Sequence, residues 1–355
     1  MAGAQAQVLQ AAQLSISTRV KEARIQDLDR AIWKDHSLVR AWCMRRTMFL
    51  LPSEELAVFI RRTTRRPVYV FNWFVRRLGS SQQLDRLLDR MSEVMREPVT
   101  RVELAQTLST SHGYKHESKA GGGWGSKRDV PWLKIGGVSL QVGYLLHAIA
   151  ARDAICSGPN KGAESTYVRA DKWVKNWKDI PVEKGERLLL EKYLNAFGPS
   201  TLQDFALWAG FYVRDAKPIW AQEAENMAEV DVEGWKTSIL RSDLSELEKA
   251  DLDEPVVRLL PYFDSFLLGH RSHRNLVDQK NQKKVYRNQG WVSPTILVDG
   301  HAVGIWSHNQ KKDDLEIHFS PFSKLESDVP SRIKDEAAEL GRFLGCPNVK
   351  TTFGK

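Results

Sequence analysis

The chain has 355 residues, too many for one ordinary core, and its 42% hydrophobic and 27% charged composition is that of a globular protein of two or three domains. No run reaches the about 18 unbroken apolar residues of a membrane span; Val138 to Ala151 comes nearest and is broken by Gln141, Gly143 and His147, and the N-terminus lacks the basic start and apolar stretch of a secretory signal. Fifty-two Lys and Arg against 44 Asp and Glu leave a net charge of +8, with seventeen basic and ten acidic side chains in residues 1–100 and an acidic stretch at 221–254. The front half is therefore either a polyanion-attracting surface or simply a basic solvated one. Cys43, Cys156 and Cys346 lie far apart with no paired spacing, so neither a disulfide framework nor a zinc site is expected, and a reduced cytoplasmic setting fits.

In chain order, Gln26 to Ile32 has the apolar spacing of a short helix. Leu38 to Trp42 and Thr47 to Leu51 read as two strands around a basic tip at Cys43 to Arg46, the form of a wing. Ser53 is placed to cap a helix reaching Ile60 or Arg62, with Glu54 and Glu55 near its positive end. Ser81 to Arg96 sets Leu84, Leu87, Leu88 and Met91 on one helical face, and Thr100-x-x-Glu103 is a capping box opening a helix with Leu104, Ala105 and Leu108 inward. His112 to Arg128, rich in Gly and Lys, reads as a loop. Ser139 to Ala151 stands where a recognition helix belongs, followed by possible wing strands at Ala154 to Ile155 and Thr166 to Arg169 with a polar loop, Ser157 to Ser165, between them.

Arg187 to Ala196 is helical by pattern, Gly198-Pro199-Ser200 breaks it, and Ser200-x-x-Gln203 opens another helix with Leu202, Phe205, Ala206 and Ala209 on one face. Beyond Gln222 short β-prone runs take over: Val256 to Leu260, Thr295 to Val298, His301 to Trp306 and Leu315 to Phe319, with a turn at Asp299-Gly300. A final amphipathic helix covers Ser331 to Leu344. The expected fold is α+β, with three tandem winged-helix units at 1–80, 81–185 and 186–255 and an antiparallel β-rich part at 256–355; a generic α+β protein is the other reading of the same pattern.

The chain has no Walker loop, no dinucleotide fingerprint, no HExxH and no GxSxG. Gly121-Gly122-Gly123-Trp124-Gly125 lacks the Lys-Ser/Thr that grips a phosphate, and reads as a flexible loop. Arg61, Arg62, Arg65, Arg66, Arg76 and Arg77 flank Tyr69, Phe71, Trp73 and Phe74, which suits phosphate-contacting arginines beside core aromatics. A second basic stretch, His270 to Arg287, contains Arg271, Arg274, Lys283 and Lys284; it is either a long loop reaching DNA or a solvated connection. Gln5-Ala6-Gln7, taken on spacing alone, is a surface feature at a frayed terminus.

Five stretches change that last reading. "AGAQAQVLQAAQLSISTRV", "LVRAWCMRRTMFLLP", "YLNAFGPSTLQDFALWAG", "LLPYFDSFLLGHRSHR" and "PTILVDGHAVGIW" occur in order along nearly the whole chain. Together they resemble the winged-helix DNA-binding family of the bacterial alkylpurine glycosylases, the AlkZ and YcaQ type. The resemblance implies tandem winged helices with a β-rich C-terminal part, and a Gln-hydrophobic-Gln or Gln-hydrophobic-Asp signature. Gln5-Ala6-Gln7 matches the first form, that of the crosslink-unhooking AlkZ type, and carries the catalytic role to Gln5 and Gln7. It also implies a helix upstream of the signature, where this sequence has four residues, so the first unit is expected to lack its N-terminal helix.

The implied substrate is double-stranded DNA, and the basic side chains Arg45, Arg46, Arg61, Arg62, Arg65, Arg66, Arg76, Arg77, Arg271, Arg274, Lys283 and Lys284 are, by charge and placement, its candidate contacts. No metal, small-molecule cofactor or membrane is implied, and the expected form is a cytoplasmic, nucleoid-associated monomer. A non-catalytic winged-helix regulator is the alternative, though no dimerisation heptad or ligand-domain pattern accompanies it.

Overall fold

A computed structural model of the chain describes residues 1–64, 67–120, 129–251 and 254–354, apart from the side chains at 61–70 and 120–129. It divides into two units, Ile32–Glu186 and the pairing of Met1–Ala31 with Arg187–Lys355. Among the described residues no helix is long and apolar enough to cross a membrane.

The unit Ile32–Glu186 starts with an antiparallel hairpin, Leu38–Trp42 against Met48–Pro52, whose register runs from Leu38↔Pro52 to Trp42↔Met48. Leu38–Trp42 also pairs with Ile155–Lys161 at Ala41↔Cys156. That strand is the first half of a second hairpin, with Glu164–Arg169, and Val99–Thr100 pairs on its far side. The predicted polar loop at Ser157 to Ser165 is therefore mostly strand: Ile155 to Gly158 are buried and hold the ladder, and only the turn around Gly162 is a loop. Ser53 does not cap the next helix. A short 3-10 turn at Ser53–Glu55 comes first, with no capping side chain, and the α-helix begins at Leu56 and ends at Thr64.

Helices Pro67–Leu78, Ser81–Val94, Arg101–His112 and Val142–Arg152 surround one apolar cluster. Leu84, Leu87, Leu88, Met91, Leu104, Ala105 and Leu108 all lie in it, as their 3.6-residue spacing requires, with Leu145, Leu146 and Ile149 from the last helix. Thr100 and Glu103 form the capping box: Thr100 Oγ1 accepts from the Glu103 N–H at 3.1 Å, and the Glu103 carboxylate accepts from the Thr100 N–H at 2.8 Å. The segment expected as a loop from His112 onward instead contains a strand, Lys115–Ala120, antiparallel to Asp129–Ile135, which pairs with Val138–Gln141. Its side chains are polar because it is an edge strand, and pairing there is a backbone property. The glycine run at 121–125 lies outside the described residues.

In the other unit, helix Val182–Phe197 enters at Arg187 and leads to an aromatic cluster of Tyr193, Phe197, Phe205, Trp208 and Phe211. Helix Leu202–Ala209 is capped by Thr201 rather than Ser200: Thr201 and Asp204 make the reciprocal bonds, one residue beyond the predicted box. Gly210 turns left-handed at φ 76°, and helix Val213–Gln222 follows. Hairpin Met227–Val232/Trp235–Leu240 comes next. The C-terminal sheet has the order Val257–Leu260, Thr295–Val298, His301–Lys311, Asp314–Pro321, Asn348–Phe353. It is antiparallel except for its last pair, where Asn348–Phe353 runs parallel to Asp314–Pro321, a strand the β-prone runs did not predict. Helix Val329–Leu344 packs Val329, Ile333, Ala337, Leu340 and Phe343 inward, and returns the chain for that parallel strand.

Candidate active site and nucleic-acid surfaces

The N-terminal segment is not frayed. Ala2, Gly3, Ala4 and Ala6 are buried, and Gln5 is 8% exposed, so the signature runs through protein interior. Small side chains are what allow this backbone to be enclosed. Ala4–Gln5 is extended, Gln7 is half-buried at a bend, and Val8 leads into helix Leu9–Ser17 without a capping side chain. Gln7 therefore lies just ahead of the positive end of a helix dipole.

Two ties bracket the signature. Ser265 Oγ donates to the Gly3 carbonyl at 2.7 Å. On the other side, Asp264, wholly buried, accepts from Ser15 Oγ at 2.6 Å, from Arg19 Nη1 and Nη2 at 2.9 and 2.7 Å, and from the Phe266 N–H at 2.9 Å. Arg19 Nη1 also reaches the Ser15 carbonyl at 2.7 Å. A carboxylate so completely paired is structural: its lone pairs are occupied and its charge is matched by Arg19. Phe263, directly before it, is buried at φ +58°, a conformation a bulky side chain adopts only when its surroundings dictate it.

The predicted cations fall into separate groups. Arg45 and Arg46 form the tip of the first hairpin, in a three-residue turn at φ 52° and 58°. Arg46 is exposed, whereas Arg45 is half-buried with its guanidinium 5.6 Å from the Phe49 ring, and burial lowers its pKa to about 10. Arg61 and Arg62 lie toward the end of helix Leu56–Thr64; Arg65 and Arg66 lie outside the described residues. Arg76 and Arg77 close helix Pro67–Leu78, both exposed, and Arg77 sits 4.3 Å over Trp73. Phe74 is core as expected, but Trp73 is 41% exposed and Tyr144 beside it 57%, so this face presents rings as well as charge.

In the unit that carries the signature, Arg271, Arg274, Lys283 and Lys284 are all exposed. Arg271 donates its backbone N–H to Asp204 at 2.8 Å, Arg274 lies 4.1 Å over the exposed Trp235, and Lys284 lies 5.0 Å from the Phe322 ring. Lys283 and Lys284 stand on the short helix Gln282–Val285, pinned by Val277 and Val285 in the core.

Sequence reasoning missed Ser15, Arg19, Asp264 and Ser265, whose partnership has no local spacing to betray it. It also missed Trp235 and the aromatic rim around Trp291. The three cysteines are buried and free, and burial pushes the Cys156 thiol up to about 12, which removes it from nucleophilic chemistry at neutral pH. Among the described residues no group of three or more His, Cys, Asp or Glu is arranged to hold a metal ion.

Comparison with known proteins brings these features together. The family model described as DNA glycosylase AlkZ-like matches residues 1–343. An interstrand DNA cross-link repair glycosylase of Streptomyces sahachiroi is 27% identical over 354 residues, which cover 97% of this chain and 89% of that protein. The solved structure of Streptomyces sahachiroi DNA glycosylase AlkZ superposes with a TM-score of 0.78 at 25% identity, over 99% of this chain and 91% of the other.

Proposed function

The chain belongs to the DNA glycosylase AlkZ-like family, and we propose that it hydrolyses the N-glycosidic bond of purines made cationic by alkylation at N7 or N3, including purines held in interstrand crosslinks. The observation that carries this reading is the enclosed Gln5-Ala6-Gln7 segment, beside a carboxylate that is fully committed to structure.

An amide is no base at neutral pH, but its carbonyl accepts from water while its NH2 donates, so paired glutamines hold a water in one orientation. A cationic purine leaves without being protonated. The C1′–N bond breaks and its electron pair neutralises the purine; the water oxygen bonds C1′, and the water's surplus proton passes to solvent. Positioning supplies the acceleration, and the amide carbonyls add modest stabilisation to the cationic sugar. Such a site has little to offer an undamaged, neutral purine.

The partner is double-stranded DNA, met by the exposed Arg46, Arg76, Arg77, Arg271, Arg274, Lys283 and Lys284, with the less exposed or undescribed Arg45, Arg61, Arg62, Arg65 and Arg66 as supporting charge. Three winged-helix units are the finer reading of the fold. Its support is strongest in the third, where helices Leu202–Ala209 and Val213–Gln222 meet at a left-handed glycine and a hairpin follows. A monomer working at the nucleoid completes the proposal.

The test is base release from three duplexes: one carrying N7-methylguanine, one crosslinked through alkylated purines, and one undamaged. Release from the first two and none from the third is expected. A folded chain that binds all three and releases nothing would be a regulator or other non-catalytic binder.

A further inference from the structure

A cavity of 770 Å³ lies in the signature-bearing unit, lined by Tyr262, Tyr286 and Trp291 together with Lys283 and the polar run from Arg287 to Gln289. Three aromatic rings, two cations and two amides converge on it, with no carboxylate among the lining residues. The rings are held in place. Trp291 meets Tyr262 edge-on at 5.7 Å and packs on Phe263 at 5.0 Å. Tyr286 stacks on His273 at 3.7 Å and donates its hydroxyl to the Leu267 carbonyl at 2.9 Å.

The loop that carries the polar rim is closed at its base by the Tyr286↔Val292 bridge and by the Arg287 N–H donating to the Trp291 carbonyl at 2.7 Å. At its tip Gln289 is held at φ +60°, where a glycine would be at ease, so the chain keeps an amide side chain there at a conformational cost. The volume is that of a small-ligand pocket, and the mixture of flat rings, fixed amides and cations matches one ligand chemistry: an aromatic base attached to a phosphate.

We propose that this cavity is a nucleotide-binding subsite that takes one unpaired nucleotide of the substrate DNA, with its base against Tyr262 and Trp291 and its phosphate against Lys283 and Arg287. The inference rests on the reading of the chain as an enzyme acting on DNA. The nucleotide is unpaired because a base inside a duplex has both faces covered by its neighbours, and only one out of the stack presents a face to a ring. The released alkylpurine does not suit the pocket: it leaves the reaction without a phosphate, and before release it is a cation that Lys283 and Arg287 repel. Neither Gln5 nor Gln7 lines the cavity, so this is a second point of grip, on a nucleotide other than the one being cut. The buried tie from Ser265 to Gly3 joins the segment that follows Tyr262 to the signature segment within the same unit.

Fluorescence anisotropy on the full chain tests this, with a labelled duplex carrying one unpaired nucleotide and the same duplex fully paired. The wild type is expected to prefer the first. Trp291→Ala removes a stacking face and is expected to weaken that complex about tenfold with little effect on the paired duplex, while Trp291→Phe retains most of the preference. Because Trp291 is also packed, the exposed pair Lys283→Gln/Arg287→Gln gives the second reading: a salt slope shallower by about 2 for the unpaired duplex and by no more than about 1, from Lys283, for the paired one.

A wild type without preference, or a preference untouched in both the alanine and the double variant, overturns the subsite. Release of N7-methylguanine by the same preparations separates the two levels. Release without preference removes the subsite and leaves the glycosylase standing, whereas a chain that binds neither duplex and releases nothing removes both.

Discussion

Two regions of this molecule place charge in opposite ways. Around the signature, Asp264 and Arg19 form a pair whose carboxylate is fully buried, and every partner of that carboxylate is fixed by a second bond or by backbone. On helix Pro67–Leu78, Arg76 and Arg77 end in solvent, and the only fixed neighbour of Arg77 among the described residues is the face of a half-exposed Trp73. The first arrangement removes freedom, as the proposed water-orienting role requires. The second keeps it, as the proposed phosphate contact over many sequences requires, since counterion release requires proximity rather than one geometry. Charge can thus serve as a rivet or as a surface, and burial decides which.

The comparison breaks most visibly at the rivet. Asp264→Ala strips the acceptor from Ser15, Arg19 and the Phe266 N–H and should cost about 2–3 kcal/mol in urea unfolding, with loss of base release at temperatures where the variant remains folded; a cost under about 1 kcal/mol would mean the pair behaves like a surface one. Close packing in the same unit comes next. A side chain at Gly269 would collide with the Phe197 ring, while Tyr193 holds the Gly269 carbonyl at 2.9 Å. Gly269→Ala should therefore lower the unfolding free energy by about 1–3 kcal/mol.

On the open surface the effects invert. Arg76→Gln/Arg77→Gln should leave stability within about 0.5 kcal/mol but flatten the salt dependence of DNA binding by nearly two charges' worth, measured by titration at several salt concentrations. The smallest effect is a pH one. Burial, then the nearby charge of Arg46, holds the His147 pKa below its usual 6.5. Its contribution to stability is complete above that value and is lost as pH falls from 6.5 toward the lowered pKa, because the unfolded chain binds the proton first. Unfolding of His147→Gln compared with wild type across this range should show a shallower slope in the variant, the remainder coming from the other half-buried histidines with lowered pKa, His273 and His308.

Much of the fold was legible where burial imposes a period. Leu84, Leu87, Leu88 and Met91, and the Thr100–Glu103 box, are local signals with local causes, and the helices they mark lie within a residue or two of expectation. What escaped was polar or distant. Lys115–Ala120 and Asn348–Phe353 are edge strands whose side chains carry no alternating apolar signal. The capping box at Thr201 was displaced by one residue because Ser200 and Thr201 are chemically equivalent as caps, and only the backbone decides between them.

The candidate site shows the same division. Gln5 and Gln7 enter as candidates only through resemblance, since nothing in A-Q-A-Q predicts that such a terminus is enclosed. Ser15 and Arg19 meet Asp264 across 249 and 245 residues, and no spacing rule reaches that far.

The most direct measurement is single-turnover release of N7-methylguanine by the wild type, Gln5→Ala and Gln7→Ala, with DNA affinity determined in parallel. If amides orient the attacking water, at least one variant should lose about a hundredfold in rate while its DNA affinity and unfolding midpoint stay at wild-type values. Both variants releasing base at the wild-type rate would contradict the account, and would place the chemistry of this chain away from its N-terminal glutamines.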